Sequence, residues 1–367
     1  MLSFTETARC GGARAGEVCT PRGSFVTPAF MPVGTRAAVR TLTSADLEDL
    51  GAAVVLANTY HLMLRPGAEL VAERGGLHRF MDWSGHILTD SGGYQVMSLE
   101  PKLDDEGATF RSTYDGSTHT LTPELAVEVQ ALLGSDIAMV LDVCPPLPSP
   151  RPVIEAAVDR TAAWAARARA AYLSLSPPGQ VQFGIVQGGV EVDLRRASAV
   201  RTLEIGFDGY AIGGLSVGEE RHERQEPLAA VTEMLPTDRP RYLMGVGDPL
   251  SIIEAVGVGV DMFDCVLPTR LARHGTVLTS EGRLNLTNAR FARDDGPLDP
   301  ALVNDPAGRW SRAYLRHLLM VGETAATRIL TLHNLAWVFH LMEATRRAIA
   351  ESRFEAHAAA IRAVWER

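Results

Sequence analysis

Three aspartates each end a short apolar run: Asp90 in HILTDSGGYQVMSL, Asp142 in IAMVLDVCPP and Asp264 in VDMFDCVLPTRLARHG. An apolar run of strand length that stops at a carboxylate reads as a buried strand delivering an acid to an open strand end. Two carboxylates facing one C–N or C–O glycosidic bond can serve as nucleophile and acid/base, with a covalent glycosyl intermediate and overall retention. A third carboxylate beside an amide suits recognition of a purine edge: the carboxylate accepts ring and amine N–H groups, and an amide or backbone N–H satisfies a carbonyl oxygen. The alternative for Asp142 is a capping or supporting acid.

The elements that would position these acids are legible as eight apolar runs: PAFMPV, AAVVLANTYH, HILTD, IAMVLD, VQFGIVQGG, GYAIGG, RYLMGVG and VDMFDCV. They lack polar alternation, which is the pattern of parallel strands buried on both faces. Helices are expected at 123–133, 152–174, 192–205, 222–234 and 249–256; LTPE before the first supplies a Thr cap, a first-turn Pro and an acid at the positive dipole end. The fold class is therefore α/β, a (β/α)8 TIM barrel with N-terminal strands. A hairpin, a Pro/Gly/Asp-rich loop and a helical appendage over 311–365 follow the last strand. Asn58, Asp90, Asp142, Gln187, Gly213, Gly214, Met244 and Asp264 fall at strand ends, on the rim where barrel enzymes react.

The chain has 367 residues, is 46% hydrophobic and carries a formal charge of −9. It can bury a large core, and its start has no basic region followed by an apolar segment, so a cytoplasmic protein with no membrane partner is expected. Four cysteines, Cys10, Cys19, Cys144 and Cys265, stand at no redox or zinc-knuckle spacing. The acidic balance argues against indiscriminate nucleic-acid binding. Arg270, Arg273, His274, Arg283, Arg290 and Arg293 nevertheless form one basic stretch, either a binding surface or a solvated face.

The chain resembles the tRNA-guanine transglycosylases (queuine tRNA-ribosyltransferases) along nearly its whole length. The likeness is carried by TPAFMPVGT, NTYHLMLRPG, GGLHRFMDW, LTDSGGYQVMSL, DGSTHTLTPE, LGSDIAMVLD, FGIVQGG, AIGGLSVGE, YLMGVG, DMFDCVLPTR and SRAYLRHL. It implies one barrel domain over 1–367, with 276–345 an embellishment corresponding to the family's zinc subdomain. The activity it implies is exchange of guanine in the tRNA anticodon loop, at the wobble position, for a 7-deazaguanine in queuosine biosynthesis. By the resemblance Asp264 is the nucleophile at the ribose C1′ and Asp90 the general acid/base. Asp142, Gln187, the backbone of Gly214 and Leu215, and Asn58 form the substrate-binding set, while Tyr94 and Met244 sandwich the base. Glu219 steadies the peptide after the second glycine, and Thr269, Arg270 and Arg273 contact the anticodon. Cys144 and Val217 match the bacterial choice of the aminomethyl precursor of queuine, and the implied partners are tRNA, the two bases and a second copy in a homodimer.

Two departures stand out. Val143 replaces the family's glutamate in Asp-Glu-Cys. Leu302, Asn304 and Ala307 stand where the family has three zinc cysteines, and of the ligand set only His333 remains. No metal and no cofactor are expected, and the tail is expected to hold by packing of Trp310, Tyr314, Leu318 and Trp337. Two other functions remain open at this point: a non-catalytic RNA-binding or partner subunit, and base exchange on another nucleic acid.

Overall fold

The computed structural model describes residues 2–302 and 304–366. The eight apolar runs form eight parallel strands: Ala29–Pro32 (β1), Val54–Ala57 (β2), His86–Thr89 (β3), Ile137–Met139 (β4), Val181–Val186 (β5), Gly209–Ile212 (β6), Arg241–Leu243 (β7) and Met262–Cys265 (β8). Their order is β1-β8-β7-β6-β5-β4-β3-β2. A parallel bridge between Val33 and Leu56 brings β1 to β2, with Gly34 N donating to Leu56 O at 2.6 Å, so the sheet closes on itself. Apart from the last two residues of β8, every strand residue is buried, which explains the missing alternation.

The helices obey local rules. Thr122 Oγ1 accepts Leu125 N to cap Pro123–Leu133, and Gly134, left-handed at φ 69°, ends it. Asp248 caps Pro249–Gly257 through Ser251 N. The segment expected as one helix over 222–234 divides into a 3₁₀ turn, Arg221–Arg224, and an α-helix, Gln225–Met234; a Glu220/Glu223 capping box holds the turn. Short elements that neither form an unbroken apolar run nor last long enough to show a period were not revealed by the sequence. They include the helices Thr59–Leu64 and Gly93–Met97 and the small sheet Lys102–Leu103, Ala108–Arg111, Thr118–Leu121.

The N-terminal strands Ser3–Cys10, Ala13–Thr20 and Gly23–Thr27 form an antiparallel sheet at the far end of the barrel from the strand ends that carry the three acids. Arg14 fixes it there through a buried pair with Asp261, just before β8: Nε–Oδ1 2.9 Å and Nη2–Oδ2 2.5 Å. The appendage contains the hairpin Thr276–Thr279/Gly282–Asn285 and the helices Arg312–Met320, Thr324–Ala350 and Phe354–Trp365. The limit at 345 falls inside the long helix, whose Leu335, Trp337 and Leu341 belong to the barrel's own core. A second core gathers Ala272, Val277, Phe291, Leu298, Leu315 and Leu330. Leu318 and Trp337 are buried as expected, and Trp365 lies 5.2 Å from Trp337; Tyr314 is 46% exposed and contributes little packing. Among the described residues no helix is long and apolar enough to cross a membrane.

Candidate active site

A cleft of about 450 Å³ opens at the C-terminal strand ends, and Asn58, Asp90, Tyr94, Asp142, Gln187, Gly214, Leu215, Met244, Asp264 and Arg270 all line it. The three acids meet because β3, β4 and β8 end at the same rim. Asp264 Oδ1 accepts the Tyr242 hydroxyl at 2.6 Å and Gly245 N at 2.7 Å, which leaves Oδ2 free of protein partners among the described residues. Burial raises its pKa above the ordinary carboxylate value, against the lowering effect of those two donors. Asp90 follows β3 and is held by its own loop and by the one after β2: Oδ1 accepts Thr59 N at 2.8 Å and Gly92 N at 3.1 Å, and Oδ2 accepts the Asn58 amide. Burial pushes its pKa up to about 6, the hydrogen bonds acting in the opposite direction. Tyr242 feels both carboxylates, and with its own burial they hold its phenol well above the usual value.

Asp142, 5% exposed, accepts Gln187 Nε2 at 2.7 Å, and burial raises it to about 6. Glycine is required around this pair. A Cβ on Gly93 would come within 2.9 Å of Asp142 O, and one on Gly214, left-handed at φ 66°, within 2.3 Å of Gln187 Oε1. The Gln95 side chain also hydrogen-bonds Asp90, and its Oε1 is buried without a hydrogen-bond partner among the described residues. Cys144 and Cys265 also line the cleft, but burial pushes both thiols up to about 12, so neither is a thiolate nucleophile. What remains is a site with one free carboxylate oxygen, a second acid poised near neutrality and a carboxylate–amide pair, suited to cleaving and remaking a glycosidic bond.

The chain matches the family model described as queuine tRNA-ribosyltransferase over residues 9–367. A protein of that name from Desulforudis audaxviator is 55% identical over 344 residues, covering 93% of this chain and 92% of the relative. Another, from Solidesulfovibrio magneticus, is 50% identical over 365 residues, covering 99% and 98%. The chain belongs to the queuine tRNA-ribosyltransferase family.

The remaining site residues are placed less uniformly. Glu219 accepts Val217 N at 2.9 Å and also Ser216 N, a grip that fixes the loop after β6. Arg270 is exposed on the helix Leu267–Arg273. Thr269 is 4% exposed, and its hydroxyl donates to Val266 O and accepts Arg273 Nη1 at 3.4 Å, so it orients an arginine within the helix. Of the basic stretch read in the sequence, Arg270 alone lines the cleft. Val143 packs with Tyr60, Phe110 and Trp164 in an apolar cluster, away from the base-facing atoms.

The positions that hold zinc in the family by the resemblance do not fit a metal here. Leu302 and Ala307 are buried in apolar cores, and Asn304 is exposed. His333 is fully buried with both nitrogens engaged, Nδ1 to Asp305 Oδ2 and Nε2 to Leu278 O, each at 2.8 Å. Asp299 is likewise occupied, by Ser280 N and Oγ and Ala301 N. His333 thus ties the long helix to the hairpin through Leu278 O and to the following loop through Asp305. His333→Ala should cost about 3 kcal/mol by stranding Asp305, read as a lower denaturation midpoint. The wild-type melting temperature should be indifferent to strong chelators; loss of stoichiometric zinc together with stability would contradict this.

Tyr242 and Arg195 were missed from sequence. Tyr242 sits two residues before Met244 in RYLMGVG, and side chains two apart on a strand share a face, a signal that could have found it. Arg195 lies in an ordinary helix and left no local trace.

Proposed function

We propose that this chain is an active tRNA-guanine transglycosylase that replaces guanine at the anticodon wobble position with a 7-deazaguanine through a covalent aspartyl-ribose intermediate. The observation that carries it is the convergence of Asp264, Asp90 and the Asp142–Gln187 pair on one cleft. Asp264 Oδ2 attacks the ribose C1′ as the C1′–N9 bond breaks, and Asp90 gives the departing guanine its proton. The incoming base loses its N9 proton to Asp90 and attacks C1′, releasing the Asp264 carboxylate; two inversions give retention. The Asp142 carboxylate accepts base N–H groups. With Ser216 N–H turned to Glu219, the planar trans peptide directs Leu215 C=O the other way, toward the cleft, an acceptor that suits an aminomethyl ammonium. Retention of both acids with their supporting donors weighs against a non-catalytic subunit.

The test is incorporation of labelled guanine and of labelled 7-aminomethyl-7-deazaguanine into tRNAs that carry or lack guanine at the wobble position. Uptake confined to the first group is expected; no uptake, or uptake elsewhere, sinks the reading. Arg270 and Arg273 would contact the anticodon backbone. Burial holds the Arg273 guanidinium's pKa below its usual value, and the nearby positive charges of Arg40 and Arg270 add to the effect. Removing either Arg270 or Arg273 should raise KM for tRNA and reduce the slope of log KM against log salt by about 0.7–0.9 per lost phosphate contact. KM for the base should stay unchanged, and an unaltered salt slope would reduce the stretch to a solvated face.

A further inference from the structure

We infer that Arg195 is a positioning residue that turns the strand ends after β5 and β6 into a carbonyl-oxygen recognition site for the base. Arg195 lies in the first turns of the helix Val192–Ile205 and is 0% exposed. Its guanidinium spends four hydrogen bonds on backbone carbonyls: Nε to Gly189 O at 2.7 Å, Nη1 to Val186 O at 3.0 Å and Gly213 O at 2.6 Å, and Nη2 to Gly214 O at 2.9 Å. Among the described residues no carboxylate comes within ion-pair distance of it. Glu219 acts on it through space without contact, and a buried cation held chiefly by peptide dipoles is an expensive arrangement for a purely structural tie. Burial lowers its pKa only to about 10, so it stays charged near neutrality.

The consequence lies on the opposite face of those peptides. Successive carbonyls at Gly213 and Gly214 both turn to Arg195, which ordinary extended backbone cannot do because its carbonyls alternate. Gly214 permits it by adopting φ +66°. In planar trans peptides the N–H lies opposite the C=O, so the amides of Gly214 and Leu215 face together away from Arg195. Gly213, Gly214 and Leu215 line the cleft, whereas Arg195 does not. Leu215 N has no protein acceptor among the described residues and Gly214 N meets only the weakly accepting Cys144 sulfur, while the next, Ser216 N, is already taken by Glu219. Two adjacent amides on one side, one unpaired and one held only by a weak sulfur acceptor that a stronger oxygen can displace, form a nest for a partly negative oxygen. The oxygen this site would take is the 6-oxo group of the purine or deazapurine, which gains charge as the base departs with its electron pair. A 6-amino base would present a donor to these donors and be rejected.

This inference rests on the transglycosylase reading, and its test separates the two. Base exchange is measured for the wild type, R195K and R195M with guanine and with 2,6-diaminopurine, alongside KM for tRNA and the melting temperature. Lysine keeps the charge but cannot reproduce the planar four-bond fork. We expect KM for guanine to rise about tenfold to a hundredfold in R195K, as loss of charge-assisted hydrogen bonds predicts. The preference for guanine over 2,6-diaminopurine should shrink, with KM for tRNA unchanged. R195M, which has no donors, should be worse on both base readouts; if it does not fold, R195K alone carries the test. An unchanged guanine KM and base preference in R195K would overturn the inference while leaving the transglycosylase reading intact. So would a fall in melting temperature, tRNA affinity and base affinity together with preference unmoved, since that is the behaviour of a purely structural clamp. A wild type that exchanges neither base would instead remove the reading on which the inference stands.

Discussion

Asp264→Asn should lower base exchange by about 10⁴-fold or more, the scale of losing a nucleophile that no neighbour can replace. The substitution is nearly isosteric. Asn Oδ1 can still accept the Tyr242 hydroxyl and Gly245 N–H, so the β8 end keeps its geometry and tRNA binding should persist. What is lost is the free Oδ2, replaced by an amide nitrogen that cannot form an ester with C1′. The neighbouring Cys265 offers no bypass, because its burial keeps the thiol protonated. Steady-state exchange with labelled guanine, checked against an unchanged melting temperature, measures this; near-normal turnover would remove Asp264 from the mechanism.

Asp90→Asn should reduce kcat by about 10²–10⁴-fold, the usual contribution of a positioned acid/base. It should also stabilise the free protein above neutral pH. The folded pKa of about 6 lies above the ordinary 3.8, so ionising Asp90 is penalised by the fold. That penalty is complete above about pH 6 and absent below about pH 4. After allowance for the part of Asp90 open to the cleft, the Asn variant should gain about 2 kcal/mol at pH 8, a gain that disappears toward pH 4. Chemical denaturation at the two pH values measures this. A variant equally active, or one whose stability difference did not depend on pH, would contradict the assignment.

The barrel was legible because fully buried parallel strands leave unbroken apolar runs, and all eight runs became strands. The acids were legible because a carboxylate interrupts such a run. Position relative to the run carries equal information. Asp136 and Asp261 stand just before β4 and β8 and do structural work: Asp136 accepts Ile87 N, His78 and Arg22, and Asp261 pairs with Arg14. Asp142 and Asp264 come at or after the apolar stretch and reach the cleft. What stayed hidden was relational. Nothing near Arg195 announces that its guanidinium gathers four carbonyls from two strand ends, and nothing in LPTRLAR shows that Thr269 turns inward while Arg270 faces the cleft. The tail was read correctly as helical, but the Asp305–His333 link depends on a contact across 28 residues that no spacing rule announces.

The covalent step at Asp264 can be trapped directly. Wild-type protein incubated with a wobble-guanosine tRNA and a slowly exchanging base should give, on a denaturing gel, a protein–RNA species that survives denaturant. Digestion and peptide mass analysis should place the ribose on Asp264. This species should form with the wild type and be absent with Asp264→Asn. An adduct mapped to another residue, or base exchange proceeding with no adduct at any time, would contradict it.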